Sequence, residues 1–264
     1  MERKGDRRMG GQIRFVYEEP AVVVEDDGKR YLVVGDLHIG AERRFRQRGI
    51  NIYKNEERMA DKIKKIAKEF KAERIVLLGD IKESILYPDV QERKSIKDFF
   101  YRLEGMEMEV LRGNHDAHLD EITGRKVSDE FMTKNFAFLH GNKWPTEEAM
   151  MRRTIISGHS HVAVETVDRN GARYIEKAWL IAGRGREKGG YKKIEARELI
   201  VMPAFNELIT GYPVGKKENG RKEGMNPLLG SGIFSYRNAD IFGISSSYYG
   251  KVKSKETQFG MELG

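Results

Sequence analysis

Five short apolar segments of this chain each end in a glycine-containing turn that carries histidine, aspartate or asparagine. The turns are Gly35-Asp36-Leu37-His38, Gly79-Asp80, Gly113-Asn114-His115-Asp116, His140-Gly141 and Gly158-His159-Ser160-His161. The segments before them are short and apolar, which predicts buried strands. Because ligand sites of open α/β sheets lie outside the carboxyl ends of the strands, we expect these turns to build one site.

Helices are predicted between these strands. The apolar residues from Asn55 to Phe70 recur at steps of three and four, and so do those from Val90 to Leu103. The C-terminal half is richer in strands, and Val162–Val167 and Arg173–Leu180 are predicted to form a hairpin. The pattern predicts an α/β fold in which helices pack on mixed sheets.

The polar residues of the turns are those that bind transition metals. Five of the six histidines lie in the turns, and imidazole and carboxylate groups suit manganese, iron, zinc or cobalt. The candidate metal ligands are Asp36, His38, Asp80, Asn114, His140, His159 and His161. Seven donors are too many for one tetrahedral ion, but two ions that share a carboxylate can use them all. Two ions about 3.5–4 Å apart can stabilise both the attacking and the leaving oxygen of a phosphoryl transfer.

Composition excludes several other classes of protein. The 264 residues include no cysteine, which excludes disulfides, cysteine-bound zinc and a thiol nucleophile. The longest apolar run, Ala178–Ala182, is far shorter than the roughly 20 residues of a membrane span. The charged N-terminus does not resemble a secretory signal, so we expect a cytoplasmic protein. The net charge of +7 permits a polyanionic partner.

The order and spacing of the five turns resemble those of the calcineurin-like metallophosphoesterases, over residues 31–161. The resemblance implies an α/β fold, a four-layer α/β/β/α sandwich of two mixed sheets with flanking helices. It also implies a role for each polar residue of the turns. Asp36, His38 and His161 would hold one metal ion, Asn114, His140 and His159 a second, and Asp80 would bridge them. His115 would stabilise or protonate the leaving group, and Asp116 would orient its ring.

A narrower resemblance concerns the first turn and a late segment. Asp36-Leu37-His38-Ile39-Gly40, with the basic stretch and Gly49-Ile50 after it, is similar to archaeal phosphoesterases related to double-strand-break repair nuclease subunits. It is also similar to bacterial ligase-associated endonucleases. Val201-Met202-Pro203-Ala204-Phe205 and Thr210-Gly211 are similar to a late segment of both groups. The chain departs from them at Lys82-Glu83, where close relatives are expected to have a Lys-His pair.

These patterns predict a hydrolase, a metal-dependent phosphoesterase whose metal-bound hydroxide cleaves phosphodiester bonds in nucleic acid, as a nuclease of the DNA-repair type does. A phosphomonoesterase of small molecules, a cyclic-nucleotide phosphodiesterase and a non-enzymatic metal-binding scaffold are the alternatives. The expected cofactor is two divalent metal ions, with manganese first and iron, zinc, nickel or cobalt as alternatives. The expected partner is a nucleic-acid or nucleotide substrate and not a membrane, and a homodimer is expected by analogy.

The chain is predicted to have three parts. Residues 1–12 form a flexible tail, residues 13–213 form the metallophosphoesterase domain, and residues 214–264 form a loop-rich extension packed on that domain. A basic run of Arg43, Arg44, Arg46 and Arg48 follows the first turn. It is either a contact for phosphate groups or a solvated helix face.

Overall fold

Two mixed β-sheets form the centre of the computed structural model, which describes residues 2–3, 11–214 and 226–252. The strands of the first sheet are β1 (Glu2–Arg3), β2 (Gln12–Phe15), β3 (Val22–Asp26), β4 (Lys29–Val34), β5 (Arg74–Leu77), β6 (Glu107–Leu111) and β7 (Val127–Ser128). They lie in chain order across the sheet. Neighbours are antiparallel from β1 to β4 and parallel from β4 to β7.

The second sheet contains nine strands. These are β8 (Glu130–Met132), β9 (Phe136–Leu139), β10 (Thr154–Ser157), β11 (Val162–Val167), β12 (Arg173–Gly183), β13 (Glu198–Val201), β14 (Tyr212–Pro213), β15 (Asp240–Gly243) and β16 (Tyr248–Lys251). The order is β14-β11-β12-β13-β10-β9-β8, and β15 pairs with both β12 and β16. Strands β9, β10 and β13 are mutually parallel in the middle of this sheet.

Helices cover the outer faces of the two sheets. They are α1 (Glu42–Arg46), α2 (Asn55–Phe70), α3 (Val90–Arg102), α4 (Leu119–Thr123), α5 (Glu147–Met150), α6 (Pro227–Gly230) and a 3₁₀ turn at Tyr236–Asn238. The predicted helix from Asn55 to Phe70 is confirmed over its full length, and the second predicted helix ends one residue early, at Arg102. No helix within the described ranges is long and apolar enough to cross a membrane.

The apolar core is divided into three layers by the two sheets. On β4, Leu32 and Val34 point to the helices, whereas Tyr31 and Val33 point to the second sheet, as the period of two in a strand requires. The middle layer contains aromatic side chains such as Phe138 and Trp179. A third layer lies under α5 and α6 on the far side of the second sheet. The predicted α/β fold of two mixed sheets with flanking helices is confirmed.

The two ends of the chain are described only in part. Within the predicted tail, Glu2–Arg3 pairs with β2, and β2 itself begins at Gln12. Within the predicted extension, the third core layer contains Leu228 of α6, Phe234 of the loop after it and Ile241 of β15. Residue 1 and residues 4–10, 215–225 and 253–264 lie outside the described residues. The boundaries at residues 13 and 213 stay predictions.

Candidate metal centre

The polar turns meet because of the direction of the strands that precede them. Strands β4, β5 and β6 are adjacent and parallel in the first sheet, and β9 and β10 are adjacent and parallel in the second. Their carboxyl ends therefore share one edge of the sandwich. All seven predicted ligands follow these five strands, and the structure groups their side chains in two clusters.

The first cluster contains Asp36, His38, Asp80 and His161, whose ligand atoms lie within 4.8 Å of one another. The Nε2 atoms of His38 and His161 are 3.1 Å apart. The same nitrogen of His161 lies 3.3 Å from Oδ1 of Asp36. These are the residues that the resemblance assigns to one metal ion, together with Asp80.

The second cluster contains Asp80, His140 and His159. Nε2 of His140 lies 3.2 Å from Nδ1 of His159 and 3.2 Å from Oδ1 of Asn114. Asn114 is exposed, whereas His140 is buried. The second cluster therefore opens to solvent on the side of Asn114.

Asp80 faces both clusters with a single oxygen. Its Oδ2 lies 3.3 Å from Nε2 of His140 and 3.7 Å from Nε2 of His38. Its Oδ1 accepts a hydrogen bond of 2.9 Å from the backbone N–H of His115. That bond fixes the carboxylate so that one oxygen is available to both clusters, as a shared ligand requires.

The donor atoms fit a pair of metal ions. Ligands about 2.1 Å from one ion at angles of 90–109° are separated by about 3.0–3.4 Å, and the contacts of 3.1 and 3.2 Å within the clusters have this length. The ring of His140 is also oriented for binding, because its Nδ1 donates to the carbonyl of Leu78 at 2.8 Å and leaves Nε2 facing the cluster. Imidazole, carboxylate and amide donors suit several first-row metals and do not select one of them.

Most of these ligands have a left-handed backbone conformation. Positive φ angles of 40–71° occur at Asp36, His38, Asp80, His159 and His161. Two glycines of the same turns also have positive φ angles, Gly79 at +92° and Gly141 at +111°.

Two other glycines of these turns are needed because a side chain there would collide with a ligand. A Cβ on Gly113 would lie 2.1 Å from Oδ1 of Asp80, and a Cβ on Gly158 would lie 2.7 Å from Oδ2 of Asp36. Gly113 and Gly158 therefore provide space for the two carboxylates, and the ligands themselves adopt the strained turns.

The sequence patterns did not reveal a buried asparagine that hydrogen-bonds to the backbone of the first turn, an arrangement that we call the Asn206 clamp. The amide nitrogen of Asn206 donates to the carbonyls of Leu37 (2.7 Å) and His38 (3.3 Å). Lys177 in turn donates to the carbonyl of Asn206 at 2.6 Å. Asn206 directly follows the late segment Val201–Phe205, so that segment was the available signal. Its role is to hold the backbone on both sides of the His38 turn.

The predicted orientation of His115 by Asp116 is wrong. The Asp116 carboxylate accepts backbone N–H groups of Gly113 (2.8 Å) and Ile81 (2.9 Å), and so joins the turns after β5 and β6. The Nδ1 atom of His115 instead lies 2.5 Å from the carbonyl of Glu83. Burial raises the pKa of Asp116, and the nearby Asp80 raises it further. The sequence could not show that Asp116 bonds to backbone and His115 to Glu83, because both contacts depend on how the turns after β5 and β6 pack together.

Glu83 contacts the first cluster at the position where a histidine was expected. Its Oε2 lies 3.0 Å from Nδ1 of His38, and its Oε1 lies 2.9 Å from Nη2 of Arg44. Burial acts to raise the pKa of Glu83, but contact with His38 and the charge of Arg44 lower it overall. Glu83 is therefore an anion that connects a proposed ligand to the arginine-bearing helix α1.

The charged groups of the two clusters shift one another's pKa values. Burial acts to lower the pKa of His140, but its ion pair with Asp80 and the charge of Asp36 raise that pKa to about 9. Burial and the neighbouring His140 lower the pKa of His159 to about 4. The pKa of Asp36 falls despite its burial, because of His161 and His140. A buried anionic site of this kind favours cations.

Comparison with known proteins gives one family and a shared fold. Residues 30–182, more than half of the chain, match the model of the calcineurin-like phosphoesterase superfamily domain. The crystal structure of Pseudomonas putida nuclease MPE aligns with 93% of this chain and 98% of that chain, at 16% identity and a TM-score of 0.56. No curated protein sequence matches the chain.

Two further structures align with lower scores. YfcE, a phosphoesterase from E. coli, aligns with 85% of this chain and 99% of that chain, at 10% identity and a TM-score of 0.35. An archaeal phosphodiesterase aligns with 83% of this chain and 96% of that chain, at 13% identity and a TM-score of 0.35.

Asp80→Ala should lower the metal content more than His161→Ala. Asp80 faces both clusters, so its loss should reduce the content from about two ions per chain to fewer than one. His161 belongs to one cluster, so its loss should leave about one ion. Elemental analysis of metal-stripped protein reloaded with Mn²⁺ measures this, with circular dichroism as the control for folding. Two ions on Asp80→Ala would contradict a shared ligand.

Metal binding should strengthen as the pH rises from about 6.5 to about 9. A proton must leave His140, whose pKa is about 9, before its Nε2 can bind a metal ion. The folding stability of the metal-free protein should change in the opposite direction and fall as the pH rises, because the pKa of His140 is raised by its ion pair. The stability contributed by the ion pair of His140 with Asp80 is complete below the unfolded pKa and is lost as the pH rises to 9.

Calorimetric titration with Mn²⁺ and urea unfolding of the metal-free protein, both across this range of pH, measure the two trends. His159 is neutral throughout the range, because its pKa is about 4, and so does not contribute to either trend. An affinity for Mn²⁺ that stays constant from pH 6.5 to 9 would exclude protonated His140 as the competitor.

Proposed function

Because this chain belongs to the calcineurin-like phosphoesterase superfamily, a superfamily of metal-dependent hydrolases, we propose that it cleaves phosphodiester bonds in nucleic acid. The observation that carries the proposal is the pair of donor clusters around Asp80, which is the arrangement that a dinuclear phosphoesterase needs. The fold of P. putida nuclease MPE, which this chain shares, supports the choice of substrate.

Seven side chains would hold the metal ions. One ion would be held by Asp36, His38 and His161, the other by Asn114, His140 and His159, and both by Asp80. When bound, the ions supply Lewis-acid stabilisation of charge on the phosphoryl oxygens and lower the pKa of the attacking water. Manganese is the metal that we propose, with iron, zinc, nickel or cobalt as alternatives.

His115 is the group of this chain that we assign to proton transfer. Its Nδ1 is occupied by the carbonyl of Glu83, so Nε2 is the ring atom that remains to face a substrate. Its ring centroid lies 5.0 Å from that of His38, across nearly perpendicular planes. From this position the imidazolium form can donate a proton from Nε2 to the leaving oxygen. Asp116 supports this role indirectly, by fixing the turn on which His115 lies.

Helix α1 favours a nucleic acid over a small phosphomonoester. The arginines of α1 and of the turn after it are exposed. Two of them pair with acidic residues: Arg44 with Glu83, which contacts the first cluster, and Arg43 with Asp89 at 2.9 Å. Arg46 and Arg48 form no ion pair with any residue that the structure describes. Guanidinium groups form bidentate hydrogen bonds with phosphate. A single small phosphoester bound at the metal centre would not reach these arginines, whereas the further phosphates of a nucleic acid would. A DNA-repair role, a cytoplasmic location and a homodimer stay predictions from the sequence.

Hydrolysis of a chromogenic phosphodiester and of its monoester counterpart tests the proposed function. Metal-stripped protein should be inactive, and added Mn²⁺ should restore a higher kcat/KM for the diester than for the monoester. Single-stranded and duplex DNA are the next substrates. A preference for the monoester would favour a phosphatase of small metabolites. No hydrolysis of either substrate by metal-loaded protein would favour a non-enzymatic scaffold.

Neutralising Arg46 and Arg48 together should weaken the salt dependence of DNA binding. Each phosphate contact to a single strand contributes about 0.7 to the slope of log affinity against log salt concentration, so the slope should fall by about 1.4. Fluorescence anisotropy with a labelled strand at several salt concentrations measures it.

Lys64→Ala combined with Lys65→Ala removes the same charge from the exposed face of α2 and serves as the matched control. If the Arg46 and Arg48 variant shows the same salt dependence of DNA binding as the control, these arginines do not contact phosphate and only keep this part of the surface solvated.

A further inference from the structure

A loop beside the metal centre presents three apolar side chains to solvent. It runs from Glu83 to Pro88 and joins the turn of Asp80 to helix α3. Ile85, Leu86 and Tyr87 are 60%, 81% and 55% exposed. Exposure of three consecutive large apolar residues is unfavourable for an isolated protein, because each loses the stabilisation that burial would give. We call these three residues the loop tip.

A buried lysine holds the loop tip in place. Lys82 is 0% exposed, and its ammonium group donates to the carbonyls of Ser84, Ile85 (3.4 Å) and Leu86 (2.9 Å). Burying an ammonium group is costly unless it is fully hydrogen-bonded. The carbonyls of the loop supply those bonds, so the conformation of the loop and the burial of Lys82 depend on each other.

A buried glutamate on α3 fixes the start of the same loop. Oε1 of Glu92 accepts the backbone N–H groups of Glu83 (3.0 Å) and Ser84 (2.8 Å), and Oε2 accepts the hydroxyl of Ser84. Asp89 caps α3 by accepting the N–H of Glu92 at 2.9 Å. Two buried charges therefore hold a short loop whose apolar side chains contribute nothing to the core.

The loop tip is close to the proposed reaction site. Glu83, two residues before Ile85, contacts His38 through its carboxylate and His115 through its carbonyl. The ring of Tyr87 lies edge to face with His118, at 5.6 Å between centroids. The guanidinium group of Arg93 lies 5.2 Å from the centroid of the same ring. Tyr87 is thus held by its neighbours and is half exposed.

The charges around the loop tip indicate what binds there. Glu83 at the start of the loop and Asp89 just after its end form ion pairs with Arg44 and Arg43 of the cationic helix α1. A ligand that covers the tip therefore needs a flat apolar part for Tyr87 and Leu86 and an anionic part for the arginines. Unpaired bases on a phosphate backbone have both properties, and stacking on aromatic side chains is how single strands are commonly bound. Bases of a duplex are already stacked on one another.

We propose that the loop tip is a stacking site for an unpaired base next to the scissile phosphate, an inference that rests on the proposed function. Tyr87 provides the stacking face, Leu86 and Ile85 extend the apolar contact, and Lys82 fixes the tip at its distance from His115. The substrate class is then single-stranded nucleic acid.

Cleavage of two strands that differ only in their bases tests the proposal. One is single-stranded oligothymidylate of about twelve units, within the known range of binding-site sizes, and the other is an abasic strand of equal length. With Mn²⁺ present, Tyr87→Ala should lower kcat/KM for oligothymidylate by about fivefold or more and leave the abasic strand unchanged. Tyr87→Phe should retain the wild-type value. Tyr101→Ala, which removes another exposed tyrosine near the far end of α3, is the matched control.

Three results would overturn the proposal. An equal loss on both strands would mean that Tyr87 acts through the metal centre and not through a base. Unchanged rates for Tyr87→Ala, alone and with Leu86→Ser, would assign the loop tip to another occupant such as a protein partner. Wild-type protein that cleaves the chromogenic diester or duplex DNA but neither single strand would overturn this inference alone, and wild-type protein that cleaves none of these substrates would overturn the proposed function as well.

Discussion

The proposed metal centre depends on a backbone conformation that ordinary side chains avoid. Five of the seven proposed ligands have positive φ angles, a conformation that costs roughly 1–2 kcal/mol per residue, and somewhat less for aspartate and histidine. The free energy of unfolding of a folded domain is only about 5–15 kcal/mol, so the strain of five such residues is a large destabilising contribution. Backbone hydrogen bonds between neighbouring strand ends offset this cost: the N–H of Asp36 donates to the carbonyl of Gly79, and the N–H of His38 donates to the backbone carbonyl of Asp80.

The residues around the ligands explain why this strain persists. Asp116, Asn206 and Glu92 are buried polar residues that bond to loop backbone at the site and provide none of the proposed ligand atoms. Asp116 joins the turns after β5 and β6, Asn206 joins the turn after β4 to the segment after β13, and Glu92 joins the loop after β5 to α3. No single turn can therefore relax alone. A left-handed residue survives only where its surroundings determine it more strongly than its own preference does. The site is therefore a property of the two sheets together and not of any one turn.

The sequence predicts much of the fold, because period and composition are local signals. The helix from Asn55 to Phe70 and the hairpin of β11 and β12 are confirmed, and the seven candidate ligands do converge. Strand β13 was missed because Glu198–Val201 is four residues long and shows no alternation. Non-local facts also could not be predicted: the space that Gly113 leaves for Asp80, the Asn206 clamp, and the bonding of Asp116 to backbone instead of His115. Each depends on contacts between turns far apart in the chain.

The geometry of the clusters itself argues for bound cations. Imidazole nitrogens 3.1 and 3.2 Å apart cannot both present lone pairs to each other, so the metal-free protein must place a proton in each contact. Burial and the neighbouring His140 lower the pKa of His159, so a neutral His159 can accept the proton of His140 in one of these contacts. The divalent ions that we propose would replace such protons and balance the buried charges of Asp36 and Asp80. Because they would bind only the folded arrangement, they would add to its stability and offset the strain at the ligand positions. The ions would thus add to the hydrogen bonds that already hold the strained turns, and they would take the place of the protons between the crowded nitrogens.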